Sequence, residues 1–363
     1  MIRLFKKREI LFIRFLKMSE FKRMKNLKSA VLLLTLLSLS FMFGMANVPR
    51  QVADADGRAE IVYELSTERV LHRKNEKTKL PMASTTKIMT ALIIVEDCDL
   101  NEVITVPDVA VGIEGSSIYL KKGERISVKD LLYGLMLRSG NDSATALAIY
   151  HSGSVAEFVA KMNDRAKELG ALNTNFTNPS GLPDAEHYTT AEDLGLIACA
   201  AMKNQTFKSV VATRKYSGEF RSFINKNKIL TSLEGANGVK TGYTVKAGRC
   251  LVSSAERNGM DVICVVLNCP DMYERCSNLI EDAFLHYGLL EISKDKVFMS
   301  GIVPCSLCKD YTVLIERNGE LTFEVKLIDN LRKIKKGENV GKLNIYNQNN
   351  LIFTQNLYSI IER

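Results

Sequence analysis

The spacing of apolar positions changes twice between residues 59 and 290. In AEIVYELSTERVLHRKN (59–75) short apolar runs flank Ser66-Thr67, which predicts two brief strands around a turn. From about residue 84 to 206 the spacing turns helical. Residues 88–95 are apolar on every side, the mark of a helix buried in the middle of a domain. SVKDLLYGLML (127–137) has helical spacing as well. SVAEFVAKMNDRAKELG opens with Ser154 three before Glu157 and closes on Gly170, a capping box with a glycine stop. Thr190, three before Asp193, repeats the device. Then RCLVSSAERNGMDVICVVLN (249–268) joins two β-rich runs through Asn258-Gly259, a strong hairpin signal, and a helix is expected over 274–288. Strands therefore come from both ends of this region and helices from its middle. That arrangement predicts an α+β fold of about 240 residues, an antiparallel sheet packed with a helical subdomain.

Beyond a boundary near 290–304 the pattern is all β. YTVLIERNGELTFEVKL predicts a second hairpin at Asn318-Gly319, and the last stretch, LIFTQNLYSIIER, alternates like a strand. The expected organisation is a leader over 1–46, a main domain over 47–290 and a small β domain over 291–363.

The leader carries the charge. Residues 1–28 hold ten Lys/Arg and two acidic residues, which leaves thirty-nine of each sign in the remainder out of totals of 49 and 41. A neutral body without a basic stripe argues against nucleic acid as a partner. An uncharged stretch then runs from Ser29 to Ala46, with small residues at Gly44 and Ala46. A basic flank, an apolar stretch and a small-residue end predict a secretory signal cleaved after Ala46. The alternative is an uncleaved segment that associates with the membrane. The flank is long for a signal, so Met18 or Met24 is an alternative start to Met1. In either case the body is expected outside the cytoplasm, at the cell wall or the outer face of the membrane.

Eight cysteines in an exported chain raise the question of disulfides. Cys199 and Cys264 lie inside apolar runs and read as core residues. Cys305 and Cys308 form a C-x-x-C, read as a local disulfide in preference to a zinc site with Cys269 and Cys276. The four histidines make no metal pair, and no cofactor is expected.

PMASTTKIMTALIIVED (81–97) places Ser84 and Lys87 three apart at the front of the buried run. On a helix such residues share a face. One reading is a helix start with a solvated lysine. The other is a nucleophile beside its base, since serine needs a neighbouring base and a buried lysine can be one. The S-x-x-K pattern is weak by itself, because it starts also at Ser19, Ser293 and Ser306. Two further motifs shift the balance. Ser139-Gly140-Asn141 is the only S-x-N in the chain, and Lys240-Thr241-Gly242 is the only K-T-G. Read singly, the first is also a turn and helix cap, and the second a strand-edge turn.

Together, in this order, the three motifs make the chain resemble the low-molecular-weight penicillin-binding proteins that are D-alanyl-D-alanine carboxypeptidases. LPMASTTKIMTAL, LMLRSGNDSA, NPSGLPDAEHYTTAEDL and GVKTGYTVKAG carry the resemblance, which spans roughly residues 50–363. It implies that Ser84 attacks the carbonyl between two D-alanines at the end of a peptidoglycan stem peptide and that Lys87 takes its proton. Ser139 would relay a proton to the leaving D-alanine, and Asn141 would hold the lysine and the substrate amide. Lys240 would keep Lys87 neutral and attract the substrate carboxylate, to which Thr241 would hydrogen-bond. Gly242 would let the substrate backbone lie against the strand. The backbone N–H groups of Ser84 and Tyr243 would form the oxyanion hole. β-Lactams would mimic the dipeptide and stay attached. His187 and Thr190 read as loop-shaping and capping residues, and Asn227 as a residue lining the cleft. Gly140 stands where class A β-lactamases carry Asp, and no clear equivalent of their deacylating glutamate loop is visible, so the peptidase is favoured. A β-lactamase of the same fold and an inactive wall-binding homologue are the alternatives.

N-terminal sequencing of the exported protein should begin at Asn47. A mature chain that retains residues upstream of Ala46 would mean that the leader stays attached.

Overall fold

The computed structural model describes residues 59–328 and 333–362; the expected leader and its cleavage site lie outside them. The chain runs β1 (Ala59–Glu64), β2 (Val70–Lys74), a 3₁₀ turn (Ala83–Thr86), α1 (Lys87–Asp97), β3 (Val103–Thr105), β4 (Arg125–Ser127) and α2 (Val128–Tyr133). A π turn (Gly134–Arg138) leads to α3 (Asn141–Ser152), α4 (Val155–Glu168), α5 (Ala191–Lys203) and α6 (Gln205–Ala212). Next come β5 (Lys215–Ser217), β6 (Ser222–Ile224), α7 (Ile229–Ser232), β7 (Ala236–Thr244), β8 (Gly248–Arg257), β9 (Met260–Leu267) and α8 (Met272–His286).

A five-stranded antiparallel sheet in the order β2-β1-β9-β8-β7 joins the two ends of this region. It is covered on both faces, so β9 is buried along its whole length and shows no alternation. Ile263, Val265 and Leu267 face the helical layer that holds α1 and α5, and Val262, Cys264 and Val266 face α8. Helix α1 is buried from Lys87 through Ile94, which is why its sequence has no polar face. The expected caps form: Ser154 accepts from the Glu157 N–H and Thr190 from the Asp193 N–H.

The helical stretch expected over 84–206 is interrupted by the small β3–β4 sheet. The expected final helix stops at His286, and the chain continues as β10 (Tyr287–Ile292). The tail then forms β11 (Phe298–Ser300), β12 (Val303–Ser306), β13 (Tyr311–Glu316), β14 (Leu321–Leu327), β15 (Asn339–Asn347) and β16 (Asn350–Ser359).

Two expectations for the tail fail. Asn318-Gly319 does not close a hairpin, because β13 pairs with β10 whereas β14 pairs with β15. The chain changes sheets there, and the Asn347 side chain holds the turn through the Glu316 N–H (2.9 Å) and C=O (3.3 Å). The two-residue hairpin lies instead at Gln348-Asn349, both with positive φ, between β15 and β16. Nor do Cys305 and Cys308 pair. The strand register points Cys305 into the tail core, while Cys308 lies past the strand end, exposed, with its Sγ 3.6 Å from the Tyr311 hydroxyl.

None of the eight cysteines is joined in a disulfide. Alkylating the unfolded, never-reduced protein should therefore add eight groups. Six adducts with Cys305 and Cys308 linked would reinstate the disulfide.

Candidate active site

The 3₁₀ turn at Ala83–Thr86 places Ser84 half-buried at the mouth of α1, and Lys87 sits one turn inside with no exposure. Lys87 Nζ has three partners: Ser84 Oγ at 3.0 Å, Asn141 Oδ1 at 2.7 Å and the Ser180 carbonyl at 2.5 Å. Burial, then the nearby Lys240 charge, push its pKa well below the usual lysine value, against an opposing pull from Asp142. The solvated-lysine reading of this position is excluded by that burial.

Ser139 ends the π turn with φ +65°, and Asn141 begins α3, so the S-x-N segment is a turn and a helix start that also delivers a side chain to Lys87. Asn141 Nδ2 donates to the Glu114 carbonyl at 2.6 Å. Next to it, buried Asp142 accepts from the Ile118 and Leu120 N–H groups and from the Ser117 hydroxyl, which ties the 114–120 segment to α3.

The K-T-G lies on β7, the edge strand beside the Ser84 turn. Lys240 is almost wholly buried and donates to the Thr241 carbonyl at 2.8 Å. Burial, and secondarily Lys226, bring its pKa down to about 7. Gly242 packs against the serine turn. A Cβ there would lie 3.1 Å from both the Ser84 nitrogen and the Met82 carbonyl, so its bare face meets the serine turn.

Two cavities, of about 500 and about 450 Å³, meet at Ser84, Ser116 and Tyr243. Glu114, Asn141, Ser180, Gly181, Val245 and Lys246 help line the first. The second is cationic, with Ser139, Lys226, Thr241, Gly242, Arg249 and Tyr273 in its wall. Ser84, Ser139, Asn141, Thr241, Gly242 and Tyr243 thus line one cleft, with Lys87 and Lys240 buried against Ser84 and Thr241. Asn227 does not line it. It is buried beside the cleft, and its Oδ1 accepts from the Ile229 N–H.

The loop between α4 and α5 supplies what residue spacing did not reveal. Asn178 Oδ1 gathers the N–H groups of Ser180, Gly181 and Leu182, which aims the Ser180 carbonyl at Lys87. Gly181 has φ +87°, and a Cβ on it would fall 1.9 Å from the Ala83 oxygen. Asp193 ties the loop's start through the Asn173 N–H and the Thr174 hydroxyl.

Comparison with known proteins finds relatives over both the main domain and the tail. The family model described as D-alanyl-D-alanine carboxypeptidase matches residues 46–271, and that of the penicillin-binding protein 5 C-terminal domain matches 291–361. The chain is similar to D-alanyl-D-alanine carboxypeptidase DacF of Bacillus subtilis, at 32% identity over 79% of this chain and 81% of that protein. It is also similar to the D-alanyl-D-alanine carboxypeptidase of Streptomyces sp. strain K15, at 38% identity over 61% of this chain and 83% of that one. Among solved structures, the D-alanyl-D-alanine carboxypeptidase DacD from Francisella tularensis aligns with a TM-score of 0.70 and 26% identity, over 85% of this chain and 93% of that chain.

Gly181→Ala should displace the Ser84 turn. Acylation by a labelled penicillin is expected to fall roughly tenfold or more, from ångström-scale misplacement of the serine. An unchanged rate in a folded variant would show that the close approach does not position Ser84.

Proposed function

This chain belongs to the D-alanyl-D-alanine carboxypeptidase family, and on that premise we propose that it is exported and removes the terminal D-alanine of peptidoglycan stem peptides through an acyl-enzyme on Ser84. The observation that carries this reading is the set of partners around Lys87. Two of the three, the Asn141 and Ser180 oxygens, can only accept hydrogen bonds. A neutral amine has two N–H bonds for them and one lone pair left, which then faces Ser84 Oγ. In that state the serine hydroxyl donates to the amine, as a nucleophile does to its general base.

Ser84 Oγ attacks the peptide carbonyl as its proton passes to Lys87 Nζ. The new C–O bond leaves an oxyanion, stabilised by the Ser84 and Tyr243 N–H groups. Collapse expels D-alanine, which receives its proton through Ser139. Water then cleaves the ester and regenerates Ser84. The cationic cavity suits the terminal carboxylate, with Thr241 in its wall and the Lys240 charge behind it. Asn141 Nδ2 has a second N–H for the substrate amide. β-Lactams would enter as dipeptide mimics and persist as esters.

The β-lactamase reading needs a base for rapid deacylation. One carboxylate, Glu114, is among the residues lining the first cavity, but the loop between α4 and α5 contributes only Ser180, Gly181, Leu182 and Pro183, so that loop supplies no deacylating glutamate. That favours slow release and penicillin sensitivity. Main-domain and tail boundaries near residue 290 fit the same reading.

Ser84→Ala should release no D-alanine from a stem pentapeptide and take up no labelled penicillin. Lys87→Arg keeps charge but cannot give up its proton, so labelling should fall roughly a hundredfold or more with the fold intact. Normal labelling of Lys87→Arg would reject the base assignment.

Acylation kcat/KM should also be bell-shaped in pH. It rises as Lys87 loses its proton, because only the neutral amine is a base. It falls as Lys240 loses its own, because only the cation attracts the carboxylate. Lys240 is brought to about 7 in the free enzyme, so the alkaline limb should begin near neutrality. Lys240→Arg should move that limb upward, and a limb that stays in place would assign it to another group.

A further inference from the structure

His187 is 3% exposed and lies behind the cleft, between Thr86 and the loop that supplies Ser180. Its protonation is readable from its neighbours. The Thr177 N–H points at Nδ1 across 3.0 Å, so Nδ1 carries the lone pair and Nε2 the proton. Nε2 lies 2.7 Å from Thr86 Oγ1. That hydroxyl is also 2.8 Å from the Ala83 carbonyl, which can only accept. Thr86 therefore spends its one proton on Ala83 and receives the proton of His187. Three hydrogen bonds thus run in one direction, from the loop backbone to the carbonyl just before Ser84. Burial, the largest effect, holds the imidazole pKa down at about 4; Asp184 opposes this and Lys87 adds to it, so the ring is neutral and the direction is maintained.

The Ala83 carbonyl and the Ser84 N–H belong to one planar peptide unit and point in opposite directions. Fixing the carbonyl at the back of the turn therefore aims the N–H forward. Ala83 also has φ +49°, an unfavourable conformation for a residue with a side chain, so the turn needs an external hold.

We propose that His187 is a positioning residue for the reaction: acting through Thr86, it locks the Ala83–Ser84 peptide plane so that the Ser84 N–H meets the oxyanion. This rests on the reading of Ser84 as the nucleophile. Its signature is a loss in the acylation step with the initial non-covalent complex little altered, because the N–H acts on charge that develops only in the transition state.

The test is rapid-quench acylation by labelled penicillin, separating the acylation rate constant from the dissociation constant of the first complex. Thr86→Val keeps the shape and removes the hydroxyl; its rate constant should fall roughly tenfold to a hundredfold. Thr86→Ser should stay near wild type. His187→Ala should fall as far as Thr86→Val, and the double variant no further than the lower single, because the two form one latch. If His187→Ala does not fold, Thr86→Val against Thr86→Ser carries the test alone. A wild-type rate in Thr86→Val, a loss confined to the first complex, or multiplying losses in the double variant would each overturn the latch. Label on Ser84→Ala would instead sink the acyl-enzyme reading on which the latch rests.

Discussion

A fully buried amine between two carbonyl oxygens has few ways to be satisfied, and that constraint organises this molecule. The three oxygens around Lys87 can satisfy either charge state, but as a cation it would be a charge without a carboxylate partner in a dry site, which favours the neutral amine with its lone pair toward Ser84. Each of the three partners comes from a different segment: the 3₁₀ turn, the start of α3 and the loop between α4 and α5. The apolar sides of α1 are what keep water away. Fold and chemistry are thus linked through one atom, because loosening any of those packings readmits water and restores the lysine's ordinary charge.

The same economy of space governs the serine. Two glycines press on its turn from different sides, Gly242 from the edge strand and Gly181 from the loop. A methyl group at Gly181 would overlap the Ala83 carbonyl, and one at Gly242 would crowd the Met82 and Ser84 backbone at 3.1 Å. Backbone packing at this density fixes Ser84 to a degree that flexible side chains could not. The Asp142 and Asn178 side chains hold the two flanking loops through several backbone N–H groups each, so the walls of the cleft are as constrained as its floor.

Much of this was readable from residue order. Periodicity located the buried helix, the β8–β9 hairpin and the caps at Ser154 and Thr190, because each depends on local spacing and side-chain type. The motifs located Ser84, Lys87, Asn141 and the edge strand for the same reason. What escaped has no local signature. The Ser180 contribution is a main-chain carbonyl, which any residue could supply. Gly181 reads as a loop glycine until its neighbour across the fold is seen. Asn227 was placed in the cleft from its neighbourhood, yet its side chain turns back onto the Ile229 N–H. Asn318-Gly319 is a good hairpin sequence, but β13 finds a better partner in β10, so tertiary pairing overrode the turn. Cys305 and Cys308 have disulfide-like spacing, but strand direction sends them to opposite sides of the surface.

The most direct measurement is the protonation state of Lys87 in the unliganded enzyme, followed by NMR on protein carrying ¹³C at lysine Cε, with Lys87→Arg to assign the signal. The account expects the Lys87 resonance to report a neutral amine at neutral pH and to titrate well below the surface lysines. A Lys87 that remains charged until it titrates with the surface lysines would contradict it.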